Sequence, residues 1–171
     1  NRINMMLLGD FMRSVDKNYF NHEIYPGLGM FNDYDTPFDM KYKLYSALSS
    51  GSKGLVYWQY RSERVGNEQD CAGLMRVDGS PRPVINAVKD FGENLHKDMQ
   101  YFAGAEVKGG EVAIVFDFDS LLINEIEEAS KEIFKFTFCV DEVHYGRSHR
   151  GMYKLLSNLN YQPDYVSATS P

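Results

Sequence analysis

Cysteine is almost missing from this 171-residue chain: Cys71 and Cys139 are all it has. Two isolated thiols cannot build a disulfide framework, nor a zinc site of three or four clustered ligands. His22, His96, His144 and His149 are scattered, with no pair at metal-helix spacing, so no metal centre is expected. Positive charge is also short, with 18 basic against 24 acidic residues and a formal charge of −6, which leaves no basic stripe for nucleic acid. No run of about 18 apolar residues offers a membrane span. No glycine-rich phosphate loop follows a strand-like segment, so a nucleotide cofactor is not indicated. Internal repeats and low-complexity tracts are missing as well. A signal-peptide pattern is lacking too, but the chain begins at Asn1 rather than methionine. A fragment would have lost any targeting signal with its N-terminus, and a cytoplasmic location is the working expectation.

What the chain does have is aromatic residues, with 12 Tyr, 11 Phe and one Trp. Aromatic faces suit sugar rings and are equally ordinary core material. Ile3, Met6, Leu7, Phe11 and Met12 recur at helical spacing over residues 2–14. The segment from Tyr19 to Ile24 reads as a short strand stopped by Pro26-Gly27. Thr36-Pro37-Phe38-Asp39 combines a capping threonine, a proline at the first helical position and an acid in the first turn. The helix it opens should run to about Ser50, with Phe38, Tyr42, Tyr45 and Leu48 on its packed face. Leu55-Val56-Tyr57-Trp58 then has the glycine-flanked, β-branched and aromatic look of a buried parallel strand. Strand, helix, strand predicts a βαβ unit with parallel neighbours. Val84, Val88, Phe91, Leu95 and Met99 predict a helix from Arg82-Pro83 to about Phe102.

Gly104 and Gly109-Gly110 break the pattern, which puts a domain boundary between residues 1–104 and 105–171. Beyond it a strand over Glu111–Asp117, helices over 121–136 and around Met152–Leu159, and a strand at Asp164–Val166 suggest a doubly wound α/β domain.

Two places carry candidate chemistry. Glu23 lies at the C-terminal end of the first strand, where barrel enzymes put catalytic groups. After Trp58, the residues Arg61, Glu63, Arg64, Glu68, Gln69 and Asp70 crowd a long loop at the end of the second strand. A strand-end ion-pair residue and a solvated loop are the plainer readings of the same facts.

The ordered set Trp58-Gln59-Tyr60-Arg61, Gly66-Asn67-Glu68, Ala72-Gly73-Leu74 and Asp78-Gly79, with Glu23 in a Glu-x-x-Pro-Gly context upstream, resembles glycoside hydrolase family 42, the β-galactosidases. A whole (β/α)8 barrel takes about 250 residues. The resemblance therefore implies an α/β fold made of the C-terminal portion of a TIM barrel, its last two βα units, followed by the start of a flavodoxin-like trimerisation domain. It implies Glu23 as the nucleophile of a retaining hydrolase, and substrate contacts from Phe31, Tyr60, Arg61 and Glu68. Phe31 stands where the family has a sugar-stacking tryptophan, and is equally a core residue. Arg61 also reads as structural, forking onto a carboxylate. The resemblance further implies a β-galactoside substrate, a homotrimer for the full-length protein, and neither cofactor nor metal. Cys71 replaces an expected sugar-binding histidine. The family's acid/base glutamate follows an asparagine on an earlier strand; Asn67-Glu68 and Asn124-Glu125 do not fit, so it is missing and the chain alone should be inactive. A non-catalytic carbohydrate-binding or oligomerisation module stays open. So does a hydrolase for a β-glucoside, β-fucoside or α-arabinoside.

Overall fold

The structure, a computed structural model, describes residues 2–28, 33–66, 68–129 and 144–168. The chain divides into two compact units, Asn1–Val107 and Lys108–Pro171.

The first unit opens with helix α1 (Arg2–Val15), whose Asp10 is fully buried and takes a 3.4 Å contact from Arg13 Nη2. Strand β1 (Phe20–Ile24) follows, then a small antiparallel pair, β2 (Gly27–Leu28) with β3 (Asp33–Tyr34). Helix α2 (Pro37–Ser49) begins as its sequence dictates: Thr36 Oγ1 accepts from Asp39 N, and the Asp39 carboxylate accepts from Thr36 N, each at 3.2 Å. Strand β4 (Gly54–Tyr57) runs parallel to β1, so β1, α2 and β4 form the expected crossover unit.

Two details of this crossover unit differ from expectation. The packed face of α2 is Met40, Leu44 and Ala47, whereas Phe38 is 63% and Tyr45 45% exposed. The helix has two apolar stripes at the same spacing, and the core takes the other one. Tyr42 turns instead toward Met6 of α1, and Tyr45 meets Phe91 edge-on at 5.0 Å. Nor is β4 a buried strand: its sheet has two strands among the described residues, and Val56 remains 45% exposed.

Helix α3 (Val84–Lys97) stops at Asp98, and a separate turn, α4 (Met99–Phe102), replaces the single helix expected to Phe102. Val84, Ala87 and Phe91 are buried, but Met99 is 46% exposed: the apolar period continues past the point where it has something to pack on. One core joins β1, α2, α3 and the loop after β4, built from Ile24, Met40, Leu44, Leu74, Val84, Ala87 and Phe91.

That loop is well tied. Leu74 N donates to Gln59 O at 2.9 Å, Met75 N to Tyr60 O at 2.8 Å, and Ser62 N to Met75 O at 3.0 Å. The two segments of this fold-back approach so closely at Gly73 that a Cβ there would lie 2.6 Å from the backbone nitrogen of Ser62.

In the second unit β5 (Ala113–Phe116) pairs in parallel with β6 (Asp164–Ser167), with α5 (Phe118–Ala129) and α6 (His144–Asn158) between them in sequence. Helix α6 begins well before the expected Met152, and the expected end of α5 near Phe136 lies outside the described residues. Tyr153 of α6 is fully buried, and Tyr145 and His149 of the same helix pack their rings against Phe116 of β5. Among the described residues, no helix is long and apolar enough to cross a membrane.

Gly73→Ala is expected to destabilise the first unit by about 1–3 kcal/mol, because backbone rather than a flexible side chain must yield. Urea unfolding followed by circular dichroism would register it, and an unchanged midpoint would contradict the close approach.

Candidate active site

The ladder between β1 and β4 sets Phe20 opposite Gly54, Asn21 opposite Leu55 and Ile24 opposite Tyr57. From Asn21 to Ile24, β1 advances three residues while β4 advances two, so one extra residue is accommodated at His22–Glu23. A bulge of this kind re-aims a side chain. Glu23 adopts φ +67°, in the left-handed region, which costs an ordinary L-residue about 1–2 kcal/mol. Ile24 then returns to the core at 1% exposure, and the Glu23 carboxylate is left exposed at the C-terminal end of the strand.

Trp58 N donates to Ile24 O at 3.0 Å, which brings the end of β4 alongside the end of β1. The Trp58–Gln59 peptide bond is cis. The indole Nε1 donates to Glu68 Oε2 at 3.0 Å, so the loop returns its half-buried carboxylate to the strand from which it left. Tyr25 Oη donates to Glu23 Oε2, also at 3.0 Å. The Tyr25 phenol is pushed up to about 12, first by burial, then by this hydrogen bond and the negative charge of Glu23, with further contributions from Glu68 and Cys71. Both strand-end carboxylates therefore bear on one phenol.

The turn after Glu23 is pinned from α2. Lys43 Nζ donates to Tyr25 O at 2.9 Å and pairs at 2.6 Å with Asp35, whose own N–H reaches Pro26 O at 3.2 Å. Gly27 sits at φ +129°, a conformation that requires glycine and explains the Pro-Gly step. Beside this turn is a cavity of about 360 Å³ lined by Pro26, Tyr34, Asp70 and Arg82 among others, but not by Glu23 or Glu68. Arg82 lies 4.2 Å over the Tyr34 ring and pairs with Asp70 at 2.6 Å, and Tyr34 Oη donates to Asp70 O at 2.7 Å.

Of the residues expected from sequence, Glu23 lies at the C-terminal end of β1, and Glu68, in the loop after β4, is tied by its carboxylate to the Trp58 indole that follows the adjacent parallel strand. Tyr60 is 67% exposed beyond them. Arg61 does not fork onto a carboxylate: its Nη2 donates to Val77 O at 2.7 Å, and Arg82 makes the loop's arginine–carboxylate pair instead. The reason is local, since the Arg61↔Met75 bridge sets Arg61 against the returning strand near Val77. Cys71 is a buried free thiol. Phe31 lies outside the described residues. Sequence reasoning missed Tyr25 and the Trp58–Glu68 bond. Tyr25 could have been noticed as the one side-chain hydrogen-bond donor within the Glu-x-x-Pro-Gly step. Among the described residues, no group of three or more His, Cys, Asp or Glu could hold a metal ion.

Two parallel strands joined by a crossover helix make an α/β unit of the kind found in barrel enzymes. The family follows from direct comparison: residues 1–98 match the model of glycoside hydrolase family 42, beta-galactosidase, and the chain belongs to that family. No curated protein matches the chain. Its fold is similar to the polyextremophilic beta-galactosidase of the Antarctic haloarchaeon Halorubrum lacusprofundi, at 22% identity and a TM-score of 0.73 over 99% of this chain and 24% of that one. It is likewise similar to a catalytic mutant of a GH42 beta-galactosidase from G. stearothermophilus, at 19% identity and a TM-score of 0.73, covering 97% of this chain and 24% of that one. A beta-galactosidase from the psychrophilic Marinomonas ef1 matches at 20% identity and a TM-score of 0.71, over 100% of this chain and 26% of that one. The chain thus spans about a quarter of the length of these structures.

The left-handed backbone at Glu23 sets an order of stability. Glu23→Asn and Glu23→Val both remove the carboxylate, but asparagine tolerates this region and a β-branched side chain does not. Thermal unfolding should show the Val variant less stable than the Asn variant by about 1–2 kcal/mol. Equal melting temperatures would argue against the bulge.

Proposed function

We propose that this chain carries the nucleophile and part of the sugar pocket of a retaining β-galactosidase, within the C-terminal portion of a TIM barrel. The observation that carries the reading is Glu23 itself: a non-glycine residue in a left-handed bulge at a strand's C-terminal end, with Glu68 held at the end of the adjacent parallel strand. Strained backbone collects at working sites, and here it presents a carboxylate rather than a packing residue.

In this mechanism a Glu23 oxygen attacks the anomeric carbon of a β-galactoside. The carbon–oxygen bond to the leaving group breaks as the new carbon–oxygen bond forms, and a general acid gives that leaving oxygen its proton. Water then hydrolyses the galactosyl ester with the same group acting as base. Retaining enzymes place the two carboxyl groups about 5–5.5 Å apart. Glu68 has a different task, accepting hydrogen bonds from sugar hydroxyls, with Phe31, Tyr60 and Arg61 around the ring. The acid comes from another part of the barrel, so the 171-residue chain by itself is inactive. Family membership and the beta-galactosidases of similar fold support galactosides as the substrate class. The second unit, as the start of a flavodoxin-like domain, would serve trimer formation, and the enzyme would work in the cytoplasm.

A buried Cys71, 2% exposed, favours a second reading. With a thiol where the family's histidine would hydrogen-bond the sugar, the pocket binds galactose weakly and the scaffold serves carbohydrate binding or assembly, or a related β-glycoside replaces the galactoside.

In the full-length protein, Glu23→Gln is expected to lower kcat on an aryl β-galactoside by about a thousandfold or more. Glu68→Gln should act on kcat/KM by about ten- to a hundredfold. Steady-state kinetics of the two variants decide it, and an active Glu23→Gln enzyme would sink the nucleophile assignment.

A further inference from the structure

We infer that Tyr25 is a positioning residue for Glu23: its phenol holds Oε2 of the carboxylate and leaves Oε1 as the attacking atom. This inference rests on Glu23 being the nucleophile. An exposed glutamate at a strand end has three rotatable bonds, the last of them a broad and two-fold torsion, so nothing in its own chemistry selects which oxygen faces a substrate. A single donor on one oxygen makes that selection. Tyr25 Oη supplies it at 3.0 Å.

The donor is itself fixed. Lys43 Nζ of α2 holds the Tyr25 carbonyl at 2.9 Å, and Lys43 is in turn held by the partly buried Asp35 at 2.6 Å. Below pH 10 a phenol keeps its proton beside a carboxylate, so the arrangement has one sense: Tyr25 donates and Glu23 accepts. Groups bearing on the phenol are Glu23, Glu68 and Cys71, and all three oppose its ionisation. The Glu68 carboxylate is anchored independently by Trp58 Nε1. The hydrogen bond makes the phenol a reporter of charge at Glu23, and the Glu68 charge acts on it in the same direction but more weakly.

The folded-state phenol titrates about 12, above its ordinary value near 10. Its contribution to stability is therefore fully present below pH 10 and is lost as pH rises from 10 through 12. Tyr19 is raised to about 12 as well, but by burial and by Asp10, with no contribution from Glu23. It is the internal control.

The experiment is an alkaline NMR titration of the full-length protein with carbon-labelled tyrosines. The Tyr25 resonance is assigned by its disappearance in Tyr25→Phe, a variant that keeps the ring. In Glu23→Gln the Tyr25 midpoint should fall by about one unit. In Glu68→Gln it should fall by less, and Tyr19 should not move in either. A Tyr25 midpoint unchanged in Glu23→Gln, or one that moves together with Tyr19, overturns the inference. In the full-length enzyme Tyr25→Phe should lower kcat about tenfold with KM nearly unchanged, the signature of lost orientation rather than lost binding. If Glu23→Gln is inactive while Tyr25→Phe keeps full kcat, the positioning role fails alone. If Glu23→Gln stays active, the nucleophile reading fails and takes this inference with it.

Discussion

The hydrogen bond from Trp58 N to Ile24 O closes the β1–β4 ladder after the bulge, and the arrangement of the site hangs on it. Without the extra residue, strand alternation would run unbroken through Glu23. With it, Ile24 is drawn into the core, Glu23 is turned out at the strand end, and the indole of Trp58 arrives close enough to hold Glu68. One irregularity in register thus accounts for three placements.

The rest of the first unit keeps that irregularity in place. Burial of Ile24 with Met40, Leu44, Leu74, Val84, Ala87 and Phe91 supplies the driving force, since each buried Val, Leu, Ile, Met or Phe side chain is worth roughly 1.5–3 kcal/mol against exposure. That exceeds the cost of one residue in a left-handed conformation. Polar contacts then fix orientation. The Thr36–Asp39 capping box starts α2, and Lys43 on the same helix reaches the carbonyl of Tyr25. The helix between the two strands therefore supports the turn that follows the first of them.

Sequence made the crossover unit legible because its signals are local: a cap, a proline at the first helical position, a glycine stop, and an apolar run of strand length. The helix boundaries of α2 follow from those signals, and the family follows from the ordered motifs after Trp58. Tertiary choices were not legible. The buried stripe of α2 was one of two with equal periodicity, and packing against β1, α3 and the loop after β4, known only once the chain is folded, buries Met40 and Leu44. The break at Asp98 likewise reflects the end of available packing rather than any breaker residue. At the site, no sequence signal marks a bulge without glycine, and the partners of Glu68 and Arg61 depend on how the loop folds back. Tyr25 escaped notice for a related reason, since a tyrosine beside a proline reads first as packing.

In the proposed enzyme the bulge presents Glu23 to the sugar with Glu68 beside it. A crystal structure of the full-length protein after reaction with a mechanism-based fluorinated galactoside would test this arrangement. The expected result is a covalent bond from a Glu23 carboxylate oxygen to the anomeric carbon, with Glu68 within hydrogen-bond distance of the sugar hydroxyls. A sugar attached to any other residue, or a Glu68 carboxylate turned away from the ring, would contradict it.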